Sequence, residues 1–181
     1  MIILKNLPVV LRELVHDDGV PLSQLANNRK IFDNVRDFFP HPYSVKDAED
    51  FIEYCQQEDP VRTFAILYEQ KHAGVIGLVL QTDVYRKTAE LGYWIGEPFW
   101  NKGIATLAVN LIADYAFDTL QLFRLHTGVF DYNKASQRVL EKCDFILEGI
   151  FRKSVVKNGA ICDEYRYARL KEPEPDRRDQ Q

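Results

Sequence analysis

The stretch GYWIGEPFWNKGIAT, residues 92–106, decides how the chain around it folds. An apolar, aromatic run ends in a short polar turn, after which apolar residues recur every three or four positions as far as Tyr115. The pattern predicts a strand at Thr88–Ile95, a turn, and a long helix beginning at Gly103. Gly103 and Ala105 are both small, so they leave space around the first turn of that helix.

A helix that begins in this way is a candidate anion site. The first N–H groups of a helix have no partner within it, and the helix dipole adds partial positive charge there. Gly103 and Ala105 would let an anion approach, and Thr106 adds a hydroxyl donor. Neither G-x-x-x-x-G-K-[ST] nor G-x-G-x-x-G occurs, which argues against a P-loop and a dinucleotide fold. On these residues alone, a packing role for the glycine remains an alternative.

Composition narrows the class of protein. The chain has 181 residues, of which 46% are hydrophobic and 28% charged, as in an ordinary globular domain. The net charge of −4 argues against direct nucleic-acid binding. Three cysteines without metal-ligand spacing indicate reduced thiols in the cytoplasm and no metal site. The N-terminal apolar run is too interrupted for a signal peptide or a membrane span.

Periodicity along the chain predicts the element order β-α-α-β-β-β-α-β-α-β-β. Strands are expected at 9–15, 62–68, 74–81, Thr88–Ile95, 122–130, 145–156 and 161–170. Helices are expected within 22–35, after Ser44, from Gly103 to Tyr115, and at Lys134–Lys142. Two strand-helix-strand steps and the hairpins, one with an Asn158-Gly159 turn, predict a mixed α/β (α+β) sheet with helices on both faces. Residues 1–170 are expected to form one domain and residues 171–181 a disordered polar tail.

Four segments resemble the GNAT superfamily of N-acetyltransferases. Trp100 to Ala105 matches its Arg/Gln-x-x-Gly-x-Gly/Ala signature, except that Trp100 replaces the usual Arg or Gln. GYWIGEPFWNKGIATLAV and FFPHPYSVKDAEDFI are similar to the RimJ/RimL-like branch, named for ribosomal-protein N-terminal acetyltransferases. Residues 133–142 resemble that branch's Asn-x-x-Ser-x-x-Val-Leu-Glu-Lys helix. Residues 145–149 resemble the Gly-Phe-x-x-Glu-Gly that follows it, except that Asp144 replaces the first Gly. The resemblance covers residues 8–170.

The resemblance implies a fold and a co-substrate. The fold is a mixed, mostly antiparallel seven-stranded sheet that splays between the strand at Thr88–Ile95 and the strand at 122–130. Acetyl-CoA would bind in the splay, with no metal. The residues implied in binding it are Trp94, Ile95 and Gly96 along the pantetheine arm, Asn101, Lys102, Gly103, Ile104, Ala105 and Thr106 at the pyrophosphate, and Asn133 and Ser136 near the thioester. Lys102, Lys134 and Arg138 are candidates for the CoA phosphates, or are simply solvated.

The resemblance also implies catalytic roles. Glu90 is the candidate general base, because the attacking amine must lose a proton. Ser136 is the candidate acid for the departing thiolate, because no tyrosine follows Asn133 within its helix. An exposed strand carboxylate and two ordinary helix caps are the structural alternatives. Phe39, Tyr43 and Tyr93 are candidate acceptor contacts, whereas His126 is expected to be structural.

The predicted reaction is direct transfer of the acetyl group to a primary amine in a ternary complex, without an acyl-enzyme. The leading acceptor is a protein N-terminal α-amine. Alternatives are a small amine (a polyamine, an amino acid or an aminoglycoside) and a CoA-binding regulatory domain without turnover. No nucleic-acid or membrane partner is expected, and the resemblance is compatible with a homodimer.

Overall fold

An eight-stranded sheet forms the centre of the computed structural model, which describes residues 2–171. The strands are β1 (Ile3–Asn6), β2 (Val9–Glu13), β3 (Thr63–Tyr68), β4 (Lys71–Leu80), β5 (Thr88–Ile95), β6 (Arg124–Phe130), β7 (Ile146–Lys157) and β8 (Ala160–Leu170). Their order in the sheet is β1-β2-β3-β4-β5-β6-β8-β7. Every neighbouring pair is antiparallel except β5 and β6, which are parallel.

Helices cover both faces of this sheet. They are α1 (Gly19–Ala26), α2 (Arg29–Phe32), α3 (Val45–Gln56), α4 (Ile104–Asp114) and α5 (Lys134–Lys142), and α4 continues as a π-helical turn at Tyr115–Thr119. Helices α4 and α5 bury the larger hydrophobic core against one face, while α1 and α3 bury a smaller core against the other. None of the helices in residues 2–171 combines the length and the hydrophobicity needed to cross a membrane.

The mixed, mostly antiparallel sheet with helices on both faces confirms the predicted fold class, with eight strands instead of seven. The additional strand is β1, which forms a hairpin with β2 by pairing Leu4 with Leu11. Lys5 and Pro8 interrupt the apolar run of this segment, so that its sequence does not show the alternation of a strand.

Two other boundaries differ from the sequence prediction because local turns override periodicity. Strand β4 begins at Lys71, ahead of the predicted residue 74, since Glu69 and Gln70 make the tight turn with φ angles of 48° and 65°. The predicted helical region 22–35 divides into α1 and α2 at Asn28, whose side chain accepts a hydrogen bond from the Lys30 amide. Both turns are formed by polar residues and contain no glycine.

Lys171, the first residue of the predicted tail, makes hydrogen bonds with the folded domain. The Lys171 amide donates to the Phe123 carbonyl at 2.9 Å, and its ammonium donates to the Phe117 carbonyl at 2.8 Å. Lys171 therefore remains attached to the fold beyond the end of β8. Residues 172–181, which carry the rest of the predicted tail, lie outside the described residues.

A buried carboxylate, Asp18, joins the start of α1 to two strands. Both of its oxygens accept hydrogen bonds from Arg12 at 2.7 Å, and Oδ1 also lies 2.7 Å from His72 Nε2. The Val15 amide donates to Oδ2 at 2.9 Å. Burial alone would raise the pKa of Asp18, but the hydrogen bonds outweigh it and hold the pKa well below its ordinary value.

We expect Asp18→Asn to lower the free energy of unfolding by about 3 kcal/mol at pH 7, because it leaves Arg12 buried without its anion. Since the folded pKa of Asp18 lies below the unfolded value, the stabilisation is present above about pH 4 and declines as the pH falls toward the folded pKa. Urea unfolding from pH 7 to pH 3 measures both effects. Asp17→Asn, at the adjacent exposed position, is the matched control. Equal stability of the two variants at pH 7 would contradict this role.

Candidate active site

A gap opens in the sheet between β5 and β6. Their parallel pairing covers three residue pairs and ends with Glu90 opposite His126. On the other side of β5, antiparallel pairing with β4 continues to Ile95, and the Gly96 amide donates to the Ala73 carbonyl at 2.7 Å. Since main-chain groups alternate along a strand, those of Trp94 and Gly96 face β4, and those of Tyr93 and Ile95 face the gap.

A loop of unusual backbone geometry connects the end of β5 to α4. Asn101 and Gly103 adopt left-handed φ angles of 60° and 73°, and the first helical bond runs from the Leu107 amide to the Gly103 carbonyl at 3.2 Å. Within the helix, the amides of the residues between Gly103 and Leu107 consequently have no carbonyl partner. A Cβ added to Gly103 would meet no atom within 4 Å, so the space beside it is open. An exposed row of amides beside open space fits a pyrophosphate.

The side chain of Trp100 folds back onto the end of β5. Its indole Nε1 donates to the Ile95 carbonyl at 2.6 Å, although the residue is 37% exposed. Lys102 turns in the other direction, with its ammonium 5.4 Å from the ring centroid of Phe99 and 5.9 Å from that of Tyr68. In this arrangement the main chain of Lys102 lies just before the start of α4, while its ammonium group packs on the two aromatic rings.

Two predicted residues meet where β5 lies beside α5. The hydroxyl groups of Tyr93 and Ser136 are 2.9 Å apart. Burial raises the pKa of Tyr93, against a smaller opposing effect of the Ser136 hydrogen bond, so the phenol stays protonated. Asn133 caps α5 by accepting from the Ser136 amide at 3.1 Å, the structural alternative considered for it, and its side-chain NH₂ group is not part of that bond.

The two cations of α5 that were candidates for CoA phosphates face different surroundings. The Lys134 ammonium lies 5.1 Å from the Tyr165 ring centroid and donates to Gln137 at 3.3 Å, so it is directed toward β8. Arg138 is exposed on the surface of α5. Both residues are exposed, so the two cations differ in the direction of their side-chain contacts and not in exposure.

The predicted acceptor residues divide between the two faces of the sheet. Phe39 contacts Tyr43 at a centroid distance of 4.8 Å and Trp94 at 6.0 Å, all on the face covered by α1 and α3. Tyr43 is 6% exposed, and burial raises its pKa to about 12, so it belongs mainly to the core. Tyr93 lies on the opposite face, with α4 and α5, and so is not grouped with Phe39 and Tyr43.

Glu90 lies at the closed end of the gap, on the same face as Trp94. Its carboxylate forms an ion pair with Arg36, and its side chain is 19% exposed. His126 is its register partner on β6. Burial lowers the pKa of His126, Glu90 opposes this shift, and two neighbouring arginines add to it, so the imidazole is neutral at pH 7.

A pocket of about 160 Å³ lies beside this ion pair, on the same side of the sheet. It is lined by Arg36, Asp37, Phe130, Val155, Val156, Lys157 and Glu164. The Glu164 carboxylate packs directly on Gly128, where an added Cβ would lie 2.4 Å from Oε2. Position 128 must therefore be glycine for the carboxylate to lie there.

Lys157, at the end of β7, joins two walls of this pocket. Its side chain is 3% exposed, and its ammonium lies 2.5 Å from Asp37 Oδ1 and 3.6 Å from the centroid of the Phe32 ring. The next residue, Asn158, donates to Asp33 Oδ1 at 2.8 Å. The β7–β8 hairpin is thus attached to the segment that follows α2.

Sequence reasoning did not identify Arg36, Lys157 or Glu164 as part of the site. Each belongs to a segment far along the chain from Glu90, and no local pattern distinguishes it from a solvated charge. Gly128 was the available signal, because a glycine inside a strand often marks the close approach of another group. Within residues 2–171, no three His, Cys, Asp or Glu side chains are placed to hold a metal ion.

Known proteins share this architecture. The family model described as "Acetyltransferase (GNAT) domain" matches residues 9–146. The probable N-acetyltransferase YjcK of Bacillus subtilis is 37% identical over 138 residues, which cover 68% of this chain and 76% of the relative. The spermidine N(1)-acetyltransferase of Escherichia coli (strain K12) is 30% identical over 152 residues, covering 83% and 80%.

The structure of RimL, a ribosomal L7/L12 alpha-N-protein acetyltransferase in complex with coenzyme A, has a TM-score of 0.84. It is 21% identical and covers 93% of this chain and 98% of its own, so it shows the same fold. The family match runs from β2 to the first residue of β7, and so includes both strands that border the gap and the loop before α4. The chain therefore belongs to the GNAT family of acetyltransferases and is an acetyl-CoA-dependent N-acetyltransferase.

Proposed function

We propose that the acceptor of this enzyme is the α-amine of a polypeptide N-terminus. The observation that carries the proposal is the charge pairing around the pocket beside Glu90. Each of three carboxylates on this side of the sheet already has a cation beside it. The pairs are Glu90 with Arg36, Asp37 with Lys157, and Glu164 with Arg166.

This pairing disfavours a polyamine and accommodates a single ammonium group. A polycation is held by several carboxylates that have no other cation beside them, whereas each of the three carboxylates near this pocket is already paired with a cation. Lys157 is buried in its pair, but the Arg36 side chain is 55% exposed and can swing into solvent. Displacement of Arg36 would give one incoming ammonium access to Glu90. The rest of a peptide would then leave along the pocket beside Phe130.

The ionisation of the acceptor supports the same choice. Removing the proton from an α-amine of pKa near 8 costs about 1.4 kcal/mol at pH 7, and from an amine of pKa near 10.4 about 4.6 kcal/mol. The acceptor with the lower cost places the smaller demand on the general base, which favours the α-amine.

Acetyl-CoA supplies the acyl group as a thioester. In the proposed mechanism, Glu90 takes one proton from the ammonium, directly or through water, and the neutral amine attacks the carbonyl carbon. As the new C–N bond forms and the C–S bond breaks, the Tyr93–Ser136 hydroxyl pair donates a proton to the sulfur. The second proton lost by the nitrogen returns to this pair through solvent. No side chain becomes acylated.

The main-chain groups proposed to bind the co-substrate follow from the geometry of β5 and α4. Tyr93 and Ile95 would pair with the pantetheine amides, with Trp94 and Gly96 holding β5 in place from the β4 side. The amides of Gly103 to Thr106 would receive the pyrophosphate. Asn101 and Lys102 would contribute backbone, and Asn133 would use its remaining NH₂ group.

The acceptor proposal is tested by comparing kcat/KM for short peptides with unblocked α-amines and for spermidine, using release of the CoA thiol. We expect the peptides to be preferred by about tenfold or more. The same peptides with acetylated N-termini and internal lysines serve as the control, and they should be poor acceptors. A higher kcat/KM for spermidine would overturn the proposal while leaving the acetyltransferase assignment intact.

Glu90→Gln should lower kcat by about 10²-fold, at the low end of the roughly 10²–10⁴ that general-base catalysis contributes, because removing the proton from an α-amine at pH 7 costs only about 1.4 kcal/mol. The KM for acetyl-CoA should stay within about twofold of the wild-type value. Asp50→Asn is the matched control, because it also removes one carboxylate, from an exposed ion pair with Lys46 on α3. An unchanged kcat in Glu90→Gln would rule out Glu90 as the base.

If Tyr93 and Ser136 act as one proton donor, their effects on kcat should not be additive. We expect Tyr93→Phe and Ser136→Ala each to lower kcat about tenfold or more, and the double variant to lose little beyond the larger single effect. Stopped-flow release of the CoA thiol at saturating substrates measures each kcat. Additive losses would show that the two hydroxyls act separately.

A further inference from the structure

The side chain of Trp100 lies between the gap and the loop that connects β5 to α4. The Ile95 carbonyl, which accepts its indole N–H, faces the gap because the groups that pair with β4 belong to Trp94 and Gly96. This carbonyl is the last gap-facing acceptor of β5. It keeps a second lone pair, so the indole bond does not prevent it from accepting another donor.

The same hydrogen bond closes the loop between β5 and α4. The Phe99 amide bonds to the Gly96 carbonyl at 2.9 Å, which turns the chain, and Trp100 then leaves this turn with an extended backbone (φ −67°, ψ 156°). The indole ties this point back to Ile95, just before the two left-handed residues that orient the amides of α4. Without that tie, the segment following the turn would be held by α4 at its far end and by the contacts of Lys102 with Phe99 and Tyr68.

The chemistry of the side chain explains why tryptophan stands at this position. The family signature quoted above has Arg or Gln here, and neither shares the size, charge or aromaticity of tryptophan. All three carry a nitrogen-bound hydrogen on an ε nitrogen, at the same number of bonds from Cα. An N–H donor at this distance from Cα is therefore a property that the three side chains share, and in this chain it donates to the last carbonyl of the preceding strand.

We propose that Trp100 is a positioning residue for acetyl-CoA, acting through its indole N–H: it fixes the Ile95 carbonyl and the loop so that the amides at the start of α4 are oriented before the pyrophosphate arrives. A preorganised loop loses less conformational freedom on binding, which appears as tighter binding. The inference concerns the co-substrate half of the site. It stands whether the acceptor is a peptide or a small amine.

The test measures the dissociation constant of coenzyme A by calorimetry, so no acceptor is needed. Trp100→Phe keeps an aromatic ring and removes the N–H, and we expect it to weaken binding about fivefold, because the loop must then be ordered when coenzyme A binds. Trp100→Gln and Trp100→Arg restore an ε nitrogen donor, and both should bind within about twofold of wild type. At saturating acetyl-CoA, kcat should change less than twofold in all three, because the bond orients the co-substrate and takes no part in proton transfer.

Hydrogen exchange of the main-chain amides gives a second readout on the CoA-free protein. The amides of residues 101–106 should exchange faster in Trp100→Phe than in wild type, and at wild-type rates in Trp100→Gln. Amides of β3 serve as an internal reference for global stability. Wild-type affinity in Trp100→Phe, or a Gln variant as weak as the Phe variant, would overturn the role of the N–H. Unchanged exchange in Trp100→Phe would overturn the preorganisation of the loop.

Discussion

Incomplete pairing of two strands is the constraint on which the rest of this structure depends. Strands β5 and β6 are parallel neighbours for three residue pairs and then separate, although each continues and is paired on its other side. Separation leaves main-chain groups of β5 directed into a gap, where a peptide-like ligand can satisfy them. The helix α4 follows β5 after a short loop, so in the proposed site its amides and those of the strand would serve one extended ligand.

The gap also separates the two halves of the chemistry. The Tyr93–Ser136 pair lies on the face with α4 and α5, while Glu90 and the pocket lie on the face with α1 and α3. A reacting thioester in the gap would therefore have a proton donor on one side and a proton acceptor on the other. In the proposed mechanism, one sheet that is opened at one place supplies both groups.

Much of the fold could be predicted from the sequence because most elements carry a strong period of their own. Seven strands, the cap at Ser44 and the Asn158-Gly159 turn follow from local patterns. Strand β1 could not be predicted in this way, because it depends on pairing with β2 and has Lys5 and Pro8 in or next to it. The same limit applies to β4, where the tertiary structure imposes positive φ angles on Glu69 and Gln70.

The proposed co-substrate half of the site could be suggested from the sequence more readily than the proposed acceptor half, for a physical reason. Gly103, Ala105 and the residues near them would act through consecutive main-chain groups, and a contiguous segment can be recognised in a sequence. Arg36 and Glu164 line the pocket beside Glu90 through side chains that the packing of separate segments brings together. The hydrogen bond from Trp100 to Ile95 was also not predicted, because a signature that gives Arg or Gln at this position does not indicate which atom of the side chain matters.

The buried ammonium of Lys157 has a consequence for how such an enzyme changes over evolution. By resting on Phe32 and pairing with Asp37, it makes the hairpin and the segment after α2 a single mechanical unit. A substitution at either partner would reset the width of the acceptor groove without altering any group that faces the gap. In the proposed site, this one contact can therefore change acceptor selectivity while the main chain of β5 and α4 stays as it is.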